Sequence, residues 1–217
     1  MVPVVVIDDA ATAVPLARAL VAGGLPVIEV TLRTPAAREA IARIAAEVPD
    51  ATVGAGTVRT TDDIAASVSA GAKFLVSPGT TSSLVEALDS SGVPYLPGAA
   101  TVSEVMALAE RGIKELKFFP AEAAGGVPYL KAIGGPLPDV RFCPTGGIRL
   151  ATAPPTTWRC PTWAASAAPG SPRPTRSRPA TGAASRSWPR RPPRSADPAS
   201  RGEITGIMAG WLWRRPP

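Results

Sequence analysis

The chain has 217 residues, 45% of them hydrophobic and 18% charged, with a net charge of +6, two cysteines and no histidine. That is enough sequence for one domain with a sizeable core. The lack of histidine excludes Ser-His-Asp and Cys-His catalysis, His-ligated zinc and imidazole acid–base chemistry. Cys143 and Cys160 are too few for a disulfide framework. No apolar run reaches the roughly 18 residues of a membrane span, and Met1–Ile7 enters a strand-like segment without a basic leader, so a cytoplasmic protein with no membrane partner is expected.

Residues 1–150 alternate short apolar runs with amphipathic ones at nearly constant spacing. Strand-like cores begin near Val4, Val27, Val53, Phe74, Tyr95, Leu116 and Val140. Successive starts lie 21 to 26 residues apart, room for one strand, a three-turn helix and two short loops. Helical patterns fall at Ala11–Val21, Pro35–Val48, Asp62–Ser69, Ser83–Leu88 and Val102–Arg111. Thr34, Thr61 and Thr101 are the expected caps, the last with Glu104 three residues on. Gly23, Gly71, Gly92 and Gly112 are expected to close four of the helices. Seven βα units in series read as a parallel α/β fold, and an eighth would close a (β/α)8 barrel.

In such a barrel the site lies where strands end. The polar groups closing the apolar runs are Glu29, Arg33, Thr57, Lys117 and Thr145-Gly146-Gly147, with Pro78 after the fourth run. Alternation puts Leu116 and Phe118 on one face of the sixth strand and Lys117 and Phe119 on the other. A Lys aimed into a barrel must be paired or deprotonated, and the neutral amine is a nucleophile for carbonyl carbons. It could equally reach the rim as a salt-bridge partner. Glu29 and Arg33 could move protons and hold a carboxylate, or form an internal ion pair. The Gly-Gly step offers exposed backbone N–H groups suited to a phosphate.

The pattern breaks near residue 150. Residues 1–150 carry 12 basic and 15 acidic side chains, a net of −3, whereas 151–217 carry 11 Arg, no Lys and two acids, a net of +9. Ala151–Glu203, 53 residues, contains no Val, Leu, Ile, Met or Phe, so it cannot build a packed core and disorder is expected over 151–217. An Arg- and Trp-bearing tail could bind nucleic acid, but charge blocks are more often solvated, so nucleic acid is not the expected partner. The composition also matches a GC-rich gene translated out of frame. Back-translated and read one base earlier, the segment Pro155–Pro172 admits a string containing Gly-Gly-Ser-Trp.

Five ordered segments carry a resemblance: Val2-Pro3-Val4-Val5, Ile28-Glu29-Val30-Thr31-Leu32-Arg33-Thr34, Val53-Gly54-Ala55-Gly56-Thr57-Val58, Leu116-Lys117-Phe118-Phe119-Pro120-Ala121-Glu122 and Arg141-Phe142-Cys143-Pro144-Thr145-Gly146-Gly147-Ile148. Over residues 1–150 the chain resembles the class I 2-keto-3-deoxy-6-phosphogluconate (KDPG) aldolases, a family that includes 4-hydroxy-2-oxoglutarate (KHG) aldolases. The resemblance implies a trimeric (β/α)8 barrel, with the eighth unit missing here. It implies a metal-free, cofactor-free mechanism in which a phosphorylated keto acid forms a Schiff base on Lys117 and is cleaved to pyruvate and glyceraldehyde 3-phosphate. Glu29 would be the acid/base. Arg33 and Thr57 would hold the pyruvate-end carboxylate, Pro78 and Phe119 would line the pocket, and Thr145, Gly146 and Gly147 would take part of the phosphate. The family's eighth unit carries a Gly-Gly-Ser-Trp phosphate loop that this chain lacks and the shifted frame admits. Alternatives are an aldolase for 4-hydroxy-2-oxoglutarate or an epimeric sugar acid, and a non-catalytic barrel remnant whose basic tail binds nucleic acid.

Overall fold

Strands rich in Val and Ile, buried on both faces, alternate with amphipathic helices that cover one of those faces. A computed structural model describes residues 2–147 and the strand 203–208. All described residues belong to one compact unit. The order is β1 (Val2–Val6), a 3-10 turn at Ala10–Thr12, α1 (Ala13–Ala22), β2 (Val27–Thr31), α2 (Ala37–Glu47), β3 (Thr52–Gly56), α3 (Thr61–Ser69), β4 (Leu75–Val76), α4 (Ser82–Asp89), β5 (Tyr95–Leu96), β6 (Gly98–Ala99), α5 (Val102–Glu110), β7 (Glu115–Phe118), α6 (Gly126–Gly134), β8 (Arg141–Pro144) and β9 (Glu203–Met208).

Strands β1 to β5 pair in parallel in sequence order, as do β6, β7 and β8. β5 and β6 flank Pro97 and are two halves of one strand position, so the parallel order runs through all seven expected units. This is the (β/α)8 arrangement without a parallel eighth strand among the described residues.

The edge of β1 departs from expectation. An open barrel predicts that edge unpaired, yet β9 lies antiparallel along it, with Val2 opposite Met208 and Val6 opposite Glu203. The physical reason is local: the stretch without aliphatics ends at Glu203, and Ile204, Thr205 and Ile207 restore β-branched residues just beyond it. The rest of the expected disordered tail, Cys160 included, lies outside the described residues.

Alternation divides the apolar side chains between two cores. Val5, Ile7, Ile28, Val30, Val53, Ala55 and Leu75 face outward against Val14, Leu20, Ile41, Ile44, Leu84 and Leu88 of the helices. Val2, Val4, Phe74, Val76, Leu96 and Cys143 fill the barrel interior. Leu116 and Phe118 pack outward with Leu130, Ile133 and Phe142, which leaves Lys117 pointing in, as the alternation predicts.

Two of three expected caps shift. Thr34 does not cap α2 but donates to the Ile7 carbonyl at 2.5 Å. Thr60, rather than Thr61, caps α3 by accepting from the Asp63 amide at 3.1 Å. Thr101 and Glu104 form the full capping box of α5. Left-handed backbone follows α3, α4 and α5 at Gly71, Gly92 and Gly112 as expected, whereas after α1 it falls at Gly24 rather than Gly23.

Candidate active site

Glu29 and Lys117, far apart in sequence, meet inside the barrel. Parallel register sets Val4, Glu29 and Gly54 in one row and Gly98, Lys117 and Cys143 in another. Both charged side chains point inward, and the Lys117 Nζ donates to Glu29 Oε1 at 3.3 Å. Glu29 is fully buried and Lys117 is 4% exposed. A charged pair at that depth is costly to desolvate and is weak evidence for stability, so a chemical use is the better explanation. Burial pushes the Glu29 carboxyl above its ordinary 4.5, while Lys117, and more weakly Arg33, pull it back. Glu29 Oε2 has no hydrogen-bond partner among the described residues.

Space for this carboxylate comes from β3. A side chain at Gly56 would collide with the Glu29 carboxylate, and one at Gly54 would collide with the Phe74 ring. Two inward positions of β3 are therefore empty of side chain so that a charged group and an aromatic ring can enter from neighbouring strands. This role of the Gly-Ala-Gly run escapes a reading of the sequence alone, because glycines near a strand end more often mark turns.

At the mouth, Arg33 Nε donates to Thr57 Oγ1 at 3.3 Å. Thr57 has φ 60°, an unfavourable value for a β-branched residue. That conformation turns the chain sharply after β3 and presents the hydroxyl to the guanidinium. Phe119 lies on the Lys117 side, with its ring centroid 5.5 Å from Nζ.

The loop after β8 is zipped to the loop after β7. Thr145 N–H donates to Phe118 O at 2.9 Å, Ala121 N–H to Thr145 O at 2.8 Å and Glu122 N–H to Gly146 O at 3.1 Å. Thr145 is 4% exposed. Gly146 and Gly147 have φ 96° and 78°; a Cβ at Gly146 would lie 3.3 Å from the Phe119 ring, and one at Gly147 2.5 Å from the Glu122 Cβ. The two glycines thus pack directly over Phe119 and Glu122. Pro78 closes the opposite side by crossing the backbone of Gly98, where no side chain would fit.

Residues 1–161 match the KDPG and KHG aldolase family. The chain belongs to that family. It is 55% identical over 148 residues to the 2-dehydro-3-deoxy-phosphogluconate aldolase of Pseudoalteromonas atlantica, covering 68% of this chain and 69% of that one. The KDPG aldolase of Legionella pneumophila, solved with pyruvate captured at low pH as a covalent carbinolamine intermediate, superposes with a TM-score of 0.71 at 48% identity, over 74% of this chain and 78% of that one. The Zymomonas mobilis ZM4 aldolase, solved with 3-phosphoglycerate, gives 0.70 at 48% identity, over 74% and 76% of the two chains. Membership accounts for the strand order. Among the described residues no helix is long and apolar enough to cross a membrane.

Proposed function

We propose that the chain is a class I aldolase that cleaves KDPG to pyruvate and glyceraldehyde 3-phosphate through a Schiff base on Lys117. The observation that carries this reading is the buried contact of Lys117 Nζ with Glu29 Oε1 at 3.3 Å, in a chain of this family. Glu29 takes a proton from the ammonium, and burial, which favours its protonated form, assists that transfer. The neutral amine adds to the C2 carbonyl, giving a carbinolamine whose hydroxyl leaves as water once protonated. In the protonated imine, the C3–C4 bond breaks as the C4 hydroxyl loses its proton. Its electron pair passes into the imine, forming an enamine, and C4 leaves as the aldehyde. Protonation at C3 and hydrolysis then release pyruvate and the free amine. The imine is the electron sink, so no step calls for a metal or organic cofactor.

Arg33 and Thr57 hold the carboxylate next to C2, with the guanidinium fork supplying charge and the hydroxyl fixing its direction. Pro78 and Phe119 line the keto-acid end. Thr145, Gly146 and Gly147 provide part of the phosphate site, and the missing Gly-Gly-Ser-Trp run impairs the rest. All the residues proposed for the keto-acid end lie among the described ones, which favours, as a second reading, a short substrate without phosphate such as 4-hydroxy-2-oxoglutarate. A cytoplasmic homotrimer fits both readings. Pyruvate release from KDPG and from 4-hydroxy-2-oxoglutarate, followed with a coupled lactate dehydrogenase, tests them. Turnover of neither would defeat the assignment.

A further inference from the structure

The strand position carrying β5 and β6 is broken at Pro97, which has no N–H to give to a ladder. On one side of the break, Ser77 N–H still donates to Leu96 O at 3.2 Å, continuing the β4–β5 ladder. On the other side, Lys117 N–H donates to Pro97 O at 2.8 Å, joining β7 to the same strand. Immediately after these rungs lies Gly98, in register with Lys117.

Both polar backbone groups of Gly98 are met by side-chain hydroxyls in place of a neighbouring strand. Gly98 N–H donates to Ser77 Oγ at 3.1 Å, and Thr80 Oγ1 donates to Gly98 O at 3.0 Å. The two hydroxyls lie 3.2 Å apart. Thr80 has one hydroxyl proton and gives it to Gly98, so Ser77 donates to Thr80 and the ring closes with every donor used. Ser77 is fully buried. The Pro78 backbone sits where a Gly98 side chain would have to be, which places this ring directly behind the pocket wall.

We propose that Ser77 and Thr80 are positioning residues for the Lys117 amine, acting through Gly98 and the register it shares with β7. The inference rests on the aldolase reading and adds two residues that touch no reacting atom. Without the hydroxyls, the buried N–H and C=O of Gly98 lose their partners, and β6 is free to shift against β4. Lys117 stands on β7, which pairs with β6, whereas Glu29, Arg33 and Thr57 stand on or after β2 and β3. A displacement would therefore separate the amine from Glu29 while leaving the carboxylate site intact. Misplacement by about 1 Å can cost about 10²-fold in rate.

The test uses the full chain and its Ser77→Ala, Thr80→Val and Thr80→Ser variants, with borohydride trapping of pyruvate as the readout. Thr80→Val keeps the shape and removes the hydroxyl; Thr80→Ser keeps the hydroxyl. The expected result is a trapping rate at saturating pyruvate reduced roughly tenfold or more in Ser77→Ala and Thr80→Val, with half-saturation within about twofold of the parent. Thr80→Ser should keep at least half the parent rate, and circular dichroism should show equal folding in Thr80→Val and Thr80→Ser. Equal trapping in all four chains overturns the positioning role and leaves the aldolase reading standing. So does an effect confined to half-saturation, or a Thr80→Ser variant as slow as Thr80→Val. If Ser77→Ala unfolds, the Thr80 pair decides the question alone. No trapping in the parent chain overturns the aldolase reading and this inference with it.

Discussion

Glu29 and Gly56 compete for one volume: a Cβ on Gly56 would fall inside van der Waals contact of the Glu29 carboxylate. The missing side chain on β3 is thus part of how β2 delivers a buried acid to Lys117. Gly56→Ala should force the carboxylate aside, costing about 1–3 kcal/mol through overpacking. Pyruvate trapping should slow at least tenfold. Urea unfolding and borohydride trapping measure the two effects, and trapping at the parent rate would show that Glu29 does not need its observed place.

Glu29→Gln should lower kcat for aldol cleavage by about 10²- to 10⁴-fold, the usual size of a lost proton-transfer group. KM should change little, because Arg33 and Thr57 remain. A variant changed in KM alone would assign Glu29 to binding.

The same residue leaves a signature in stability. Burial raises the Glu29 carboxyl above 4.5 in the folded chain. The folded state therefore holds this proton to higher pH than the unfolded state does. Its contribution is fully present below pH 4.5 and is lost as pH rises through the elevated folded value. The stability of the parent minus that of Glu29→Gln should fall with rising pH over that window, measured by urea unfolding at several pH values. A difference that is flat or rises with pH contradicts the burial argument.

Thr57 holds a strained backbone, φ 60°, and hydrogen-bonds Arg33. Thr57→Gly relieves the strain and removes the hydroxyl. The melting temperature should stay level or rise, while KM for the keto acid rises severalfold. A lower melting temperature with unchanged KM would show that the hydroxyl serves folding instead.

Seven parallel strands and the first five helices were legible because each strand is a short Val/Ile/Leu run and each helix has a clean apolar stripe. Helix α6 was harder to see: Gly125, Gly126, Pro128, Gly134 and Gly135 crowd its ends and mask its period. Lys117 could be placed facing inward by alternation alone, but its partner could not be identified from residues 88 positions apart. The family resemblance closed that gap. Ser77-Pro78-Gly79-Thr80 reads locally as a turn, and only the strand break at Pro97 shows what its hydroxyls serve. Strand β9 was not legible because it begins on the last residue of the aliphatic-free stretch and extends only five residues beyond it.

Restoring the reading frame near the codon for Pro154 should re-create Gly-Gly-Ser-Trp and raise kcat/KM for KDPG at least 10²-fold, with a smaller effect on a substrate that lacks phosphate. Limited proteolysis of the chain as translated should cut quickly within the aliphatic-free stretch 151–202, between the barrel and β9, and the restored chain should resist. A protected tail, or no gain on restoration, would contradict the frame argument.

The most direct measurement is borohydride reduction of the full chain in the presence of pyruvate, with peptide mass spectrometry to locate the adduct. The account predicts one reduced pyruvyl group per chain, on Lys117, and none in Lys117→Arg, whose guanidinium cannot form the imine. Unmodified Lys117, or an adduct of equal yield on another lysine, would contradict it.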